Sequence, residues 1–325
     1  LIKVLLGLVI TFSLFWVLFR YIEIEQLGRL LASMRWSWCL AGLGFWVALY
    51  CARSVRFVQL APRTPYLTML SIAAVHNFLL RLLPMRTGDL SYGFLVRRAG
   101  TAGLGESLLG LLLLRVLDGT TVMVLFVVSL VLDRGVYVQD RTRGLLWAGA
   151  GVLLCLALVA SLGRLLRLGL GLARGLARGL GLERRAGVQR LLDRVAESVE
   201  RFGTLRRVTV LQLGLTSLGV WLLTYGGFFA IMRAFSTPVG YARIVLACTA
   251  GVVVSFLPVG GIGTFGTMDM GMAFGLILVG VERSQAVASG IGLSIVTFGY
   301  AAVLGLLGWT GLVLRAPARP GGPRQ

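Results

Sequence analysis

Seven stretches of this chain contain no Asp, Glu, Lys or Arg: residues 4–19, 36–52, 64–80, 144–163, 208–232, 244–268 and 284–314. The hydrocarbon core of a bilayer is about 30 Å thick, and roughly 20 mostly apolar residues cross it as a helix. Several of the runs meet that length outright, and the shorter ones must borrow flanking residues or cross only in part. Composition agrees. The chain is 57% hydrophobic and 14% charged, against about 45–50% and about 25% in soluble domains. A soluble globular fold is excluded. The expected architecture is an all-α polytopic membrane protein with about six full spans plus two broken or re-entrant helical hairpins.

The net charge of +19 would suggest nucleic acid in a soluble chain. Here the arginines sit mostly in loops and flanks, which suits the positive-inside rule and anionic headgroups. Membrane lipids with anionic headgroups are therefore the expected partners, and nucleic acid is not. Arg53, Arg56 and Arg63 are expected in a cytoplasmic loop after a second span over 38–52. Eleven arginines against Glu183, Asp193, Glu197 and Glu200 give the segment 164–207 a net charge of +7, which also places it inside. Its first part, 169–182, is glycine-rich and a poor intrinsic helix former. Its second part sets Val188, Leu191, Leu192, Val195, Val199 and Phe202 at helical spacing, an amphipathic face for the membrane surface or for a docking partner.

Fixing both basic segments inside yields a topology. Both termini are expected in the cytoplasm, in a cytoplasmic (inner) membrane, with the run after Lys3 as an uncleaved first span. Residues 1–314 form one transmembrane domain, and 315–325 a disordered tail. The order span, span, hairpin, span in 1–132 recurs in 144–314 from the opposite side, an inverted-topology repeat.

Each half holds one interrupted run. Residues 81–89 read Arg-Leu-Leu-Pro-Met-Arg-Thr-Gly-Asp, and 258–263 read Pro-Val-Gly-Gly-Ile-Gly. Pro84, Gly88 and Pro258 break the helices there. Irregular backbone at membrane depth is tolerated only where protein buries it or a cavity lies alongside. Charges beside it usually mark a pathway or a site. Arg81, Arg86 and Arg115 are the candidate anion ligands, because a guanidinium offers phosphate a planar, permanently charged fork. Asp89, at the start of the returning helix, and Asp118, at i+3 from Arg115, would orient them. The backbone at Gly260, Gly261 and Gly263 can approach a ligand closely. The competing reading makes Arg115–Asp118 and Arg86–Asp89 structural ion pairs, with the glycines as helix-packing positions. Arg56, His76 and Asp269 are weaker candidates. A lone histidine at position 76 reads first as a hydrogen-bonded interior residue, with a proton relay as the alternative. Cys39, Cys51, Cys155 and Cys248 lack Cys-x-x-Cys spacing and read as small buried hydrophobes. No cofactor, metal site or catalytic array is expected, so an enzyme is not indicated.

These motifs resemble a known family, the lysylphosphatidylglycerol synthase transmembrane region, also described as flippase-like. Leu83-Pro-Met-Arg-Thr-Gly-Asp89 is similar to its Leu-Pro-x-Arg-x-Gly-Glu/Asp signature. Arg115-Val-Leu-Asp118 is similar to Glu-Arg-x-x-Asp, with Leu114 in place of the Glu. Residues 258–264 are similar to the family's Pro-(x)-Gly-Gly-Ile-Gly segment, and Arg56 falls where members often carry an arginine after the second span. The acid that usually follows Gly-Gly-Ile-Gly is Gly266 here, with Asp269 as the substitute. The resemblance implies the translocase-like half of the synthases and not their aminoacyl-transferase domain. Three functions follow as expectations. The first is a flippase-like protein that binds and translocates an anionic or polyprenyl-linked lipid. The second is a non-catalytic accessory protein for envelope lipid or lipid-linked sugar assembly, partnered with envelope-biosynthesis enzymes. The third is a secondary transporter of a small anion.

Overall fold

The structure is a computed structural model of the 325-residue chain and describes residues 24–83, 88–100, 103–133, 141–181, 186–203, 207–256 and 267–315. Among the described residues every regular element is an α-helix. In chain order they are α1 (Ile24–Ala32), α2 (Trp36–Leu60), α3 (Tyr66–Leu82), α4 (Asp89–Arg98), α5 (Leu104–Leu132), α6 (Arg141–Gly179), α7 (Ala186–Gly203), α8 (Arg207–Ala234), α9 (Tyr241–Phe256), α10 (Thr267–Leu278) and α11 (Arg283–Leu314). The expected first span, Pro84, Arg86, Pro258, Gly260, Gly261, Gly263 and the tail from 316 onward lie outside the described residues.

Among the described residues, four stretches are long and apolar enough to cross a bilayer: Trp36–Leu60, Ser107–Leu132, Val208–Ala234 and Arg283–Leu314. The protein is a multi-pass, all-α membrane protein. The two expected hairpins are pairs of shorter helices. At 1.5 Å per residue, the 17 residues of α3 reach about 25 Å and the 10 of α4 about 15 Å, short of the apolar core. The 16 residues of α9 and 12 of α10 make the second pair.

Two expectations need correction. Arg53 and Arg56 are not in a loop, because α2 continues through them to Leu60. The apolar period carries on past the arginines at Phe57, Val58 and Leu60, so the helix has a face to bury there, and Arg56 and Phe57 are indeed buried. The glycine-rich stretch from 169 is helical as far as Gly179, within α6. A helix already propagating from the apolar run 144–163 adds one hydrogen bond per residue, and this offsets the weak intrinsic preference of Gly. The amphipathic reading of α7 holds where side chains are described: Val199 is buried, Leu192 and Val195 are half-buried, and Asp193, Glu197 and Glu200 are exposed.

Small residues set the close helix contacts, as expected where lipid supplies no hydrophobic drive between helices. In the α2–α8 contact, Cβ atoms at Gly226 and Gly227 would lie 2.6 Å and 2.5 Å from the rings of Phe45 and Trp46. In the α3–α11 contact, Gly305 faces Phe78 and Gly308 faces Ala74. In the α9–α10 contact, Gly251, Gly271 and Gly275 bring the two backbones together. The pairings fall into matching sets: α3 packs on α11 as α9 packs on α5, α5 on α8 as α11 on α2, and α2 on α3 as α8 on α9. At the start of α11, Glu282 caps the helix, accepting from the amides of Ser284 (3.0 Å) and Gln285 (3.1 Å). A hydrogen bond from the Ser284 hydroxyl, with those amides, holds the Glu282 carboxyl below its ordinary range.

The core has two main apolar clusters. One gathers Trp46, Tyr225, Phe228 and Tyr300, and the other Phe57, Met69, Tyr92, Leu114 and Leu213. Cys39 and Cys248 are free and buried, and Cys51 is free and half-buried. The polar side chains that matter most lie between these clusters.

Candidate functional site

A cavity of about 170 Å³ opens between α2, α3, α5 and α8, with residues of both apolar clusters in its wall. Trp46, Leu49, Phe57, Leu114, Trp221 and Phe228 supply the apolar lining. Four arginines enter it: Arg53 and Arg56 from α2, Arg81 from α3 and Arg115 from α5. The helical period explains the grouping, since Trp46, Leu49, Tyr50, Arg53 and Phe57 recur at i, i+3, i+4, i+7 and i+11 on one face of α2.

Two of the four charges are compensated. Arg56 donates to Asp118 through Nη1 at 2.5 Å and Nη2 at 3.3 Å, and also to the Ser217 hydroxyl at 3.0 Å. Arg115 donates to Asp89 at 2.7 Å, tying α5 to the first turn of α4. For Arg115 and Asp118 the partners therefore differ from the pair the sequence suggested, while Arg86 of the suggested Arg86–Asp89 pair lies outside the described residues. Residues three apart on a helix can meet, but Arg115 is aimed at the neighbouring hairpin and Asp118 is taken by the arginine of α2.

The other two charges have no carboxylate of a described residue at ion-pair distance. Arg53 donates to the Asn77 side-chain oxygen, and its Nε has no partner. Arg81 donates to the Thr297 hydroxyl of α11 at 3.0 Å. The Tyr50 hydroxyl in the same wall is buried and also without a partner. Two neutral-partnered guanidinium groups and an unused phenol leave the cavity with excess positive charge and spare donors. That is the chemistry of an anion site.

The remaining candidates fall around this cavity. His76 lines it, with Nδ1 2.9 Å from the Ser91 hydroxyl. Asp269 is fully buried and does not line it. It accepts from Ser294, one turn from the Thr297 that holds Arg81, and it acts on Arg81 electrostatically. Gly88 is buried at the foot of the first hairpin. A Cβ there would sit 2.7 Å from Leu79 O and from the Leu80 Cα, so α4 returns against the last turn of α3 with no room for a side chain. Gly88→Ala is expected to cost about 2 kcal/mol through forced separation of α3 and α4, read as a lowered unfolding midpoint in detergent with the secondary structure unchanged.

A family model, that of the lysylphosphatidylglycerol synthase TM region, matches residues 4–305. This chain belongs to that family. No curated protein and no solved structure matches the chain. Membership in the lysylphosphatidylglycerol synthase TM-region family, with four helices among the described residues fit to span, makes it an integral membrane protein related to lipid metabolism or transport. Within the family's motifs, the structure brings Asp89, Arg115 and Asp118 to one cavity region and shows Arg56 as the buried partner of Asp118. Arg53 and Tyr50 were missed by sequence reasoning. The signal was available: two arginines three apart, continuing the Trp46/Leu49/Tyr50 face without a helix breaker before Pro62.

Proposed function

We propose that this protein binds the phosphate of an anionic or polyprenyl-linked lipid in the arginine-lined cavity and translocates that lipid across the cytoplasmic membrane, with both termini inside. The observation that carries this reading is the pair Arg53 and Arg81, two guanidinium groups in an interior cavity whose hydrogen-bond partners among the described residues, Asn77 and Thr297, are neutral. An intramembrane charge is costly and marks a pathway or site. A bound phosphate would supply the missing counter-charge. About 170 Å³ takes a headgroup and leaves the hydrocarbon chains outside, in lipid. The matching sets of helix pairings support an inverted repeat of α2–α5 and α8–α11, and such repeats place the binding site at their interface. Arg86 and the glycines 260, 261 and 263 belong to the two breaks and remain proposed ligands.

The test is reconstitution into liposomes containing a fluorescent anionic phospholipid, with transbilayer movement followed by dithionite quenching. Wild type should accelerate movement of the anionic lipid. Arg53→Ala and Arg81→Ala should each lower apparent affinity about tenfold or more, the size of a lost charge-assisted hydrogen bond. Arg233→Ala, at an exposed arginine over the Phe229 ring that is not among the cavity-lining residues, should behave as wild type. No movement of any anionic lipid, or equal activity in folded Arg53 and Arg81 variants, would sink the reading.

A further inference from the structure

Arg81 is tied to α11, and through it to α10, by a directional ladder of hydrogen bonds. Its Nη1 donates to the Thr297 hydroxyl at 3.0 Å. The Thr297 hydroxyl gives its own proton to the Ser294 carbonyl oxygen at 3.2 Å. The Ser294 hydroxyl in turn donates to the carboxylate of Asp269, in the first turn of α10. A hydroxyl has one proton, so both point away from Arg81 and toward that carboxylate. Thr297, Ser294 and Asp269 are buried, and Asp269 does not line the cavity. Helices α9 and α11 pack on α10, and neither carries a charged residue between 244 and 256 or between 284 and 314. The Asp269 carboxylate acts electrostatically on Arg81 of α3.

A counter-charge set one ladder away differs from a direct ion pair. Asp118 grips Arg56 and withdraws it from any ligand. Asp269 leaves the Arg81 guanidinium on a neutral hydroxyl in the cavity wall and answers its charge only in part, from behind. We infer that Asp269 is a positioning residue: through Ser294 and Thr297 it holds Arg81 toward α11 and supplies a partial resting counter-charge, so that a bound phosphate competes with it for the guanidinium and stays exchangeable. Charge-assisted hydrogen bonds from two arginines, in an interior that salt screens poorly, would otherwise hold a phosphate tightly. A transport site must bind well enough to fill and weakly enough to empty. The inference rests on the anion-site reading above.

Binding is measured on the full chain in detergent with two probes, phosphatidic acid by native mass spectrometry and inorganic phosphate by calorimetry. The pair separates a lipid-borne phosphate from a free one. Transbilayer movement of the fluorescent anionic phospholipid is followed in parallel. Asp269→Asn removes the charge and keeps an oxygen to accept from Ser294, and Asp269→Ser removes the charge with a smaller side chain. Either folded variant should bind whichever probe wild type binds about tenfold more tightly, the effect of removing one indirect negative charge in a partly wet interior. It should also move lipid several-fold more slowly at saturation, because release becomes limiting. A merely structural loss would weaken binding and movement together. The gain in affinity should shrink in an Arg81→Ala background and persist in an Arg53→Ala background. Asp133→Asn, at a carboxylate that Arg243 holds and that is not among the cavity-lining residues, should leave affinity unchanged. Unchanged or weaker binding in the folded Asp269 variants, tighter binding without slower movement, or a full gain without Arg81 overturns the inference and leaves the anion site standing. Failure of both probes to bind wild type instead removes the anion site itself, and the inference with it.

Discussion

Asp118→Ala should destabilise the protein by about 3–5 kcal/mol, the usual cost of breaking a buried ion pair from one side. Arg56 and Asp118 are 4% and 6% exposed, and the pair is held by two hydrogen bonds, with Ser217 as an additional acceptor. Removing the carboxylate leaves a guanidinium in the interior with one hydroxyl for company. Its Nε already lacks a partner, so no other group is placed to take over. Arg56→Met should cost a similar amount by stranding Asp118. The double variant Arg56→Met/Asp118→Leu removes both charges and should return to within about 1–2 kcal/mol of wild type, because apolar replacements of similar volume often match a buried pair. Thermal or denaturant unfolding of the four proteins closes the cycle. A double variant as unstable as the sum of the singles would show that the two residues do not act as a pair.

Gly275→Ala should be as damaging for a different reason. A Cβ at Gly275 would lie 1.9 Å from Ala247 O and 2.6 Å from the Ala247 carbonyl carbon. These are backbone atoms of the facing helix, so no rotamer change relieves the overlap and α9 must move away from α10. Gly251 and Gly271 lie in the same contact. The loss should be about 3 kcal/mol or somewhat more, at the upper end of overpacking costs. Because α10 also packs on α11, the helix whose Thr297 holds Arg81, anion affinity should fall along with stability. Gly299→Ala on α11, where a Cβ meets nothing within 4 Å, is the matched control and should change neither. A Gly275→Ala protein as stable as the control would mean that the α9–α10 approach is looser than described.

Class and segmentation were legible along the chain. Uncharged runs predict membrane helices because the cost of burying charge in hydrocarbon depends on residue type alone. The positions of α3 and α8 follow their uncharged runs to within a few residues, and α9 ends ahead of Pro258. The end of α2 was not legible in the same way. Arg53 and Arg56 look like a cytoplasmic flank when each arginine is presumed to seek water, and they lie on a buried face because Asp118, Asn77 and Ser217 meet them there. Likewise, Arg115 and Asp118 were recognisable as a charged pair within an apolar helix, but their real partners come from α4 and α2.

By itself, then, the sequence determined that the chain is a helical membrane protein, where its helices break, and which charged residues it carries into lipid. Hydropathy, helix breaking and charge are properties of short stretches. Only the tertiary structure decided which charges neutralise one another. It gave Arg53 and Arg81 the neutral partners Asn77 and Thr297 in the cavity wall. The reason is geometric: a guanidinium or an imidazole is satisfied by groups within about 3 Å, and helices far apart in the chain supply those groups.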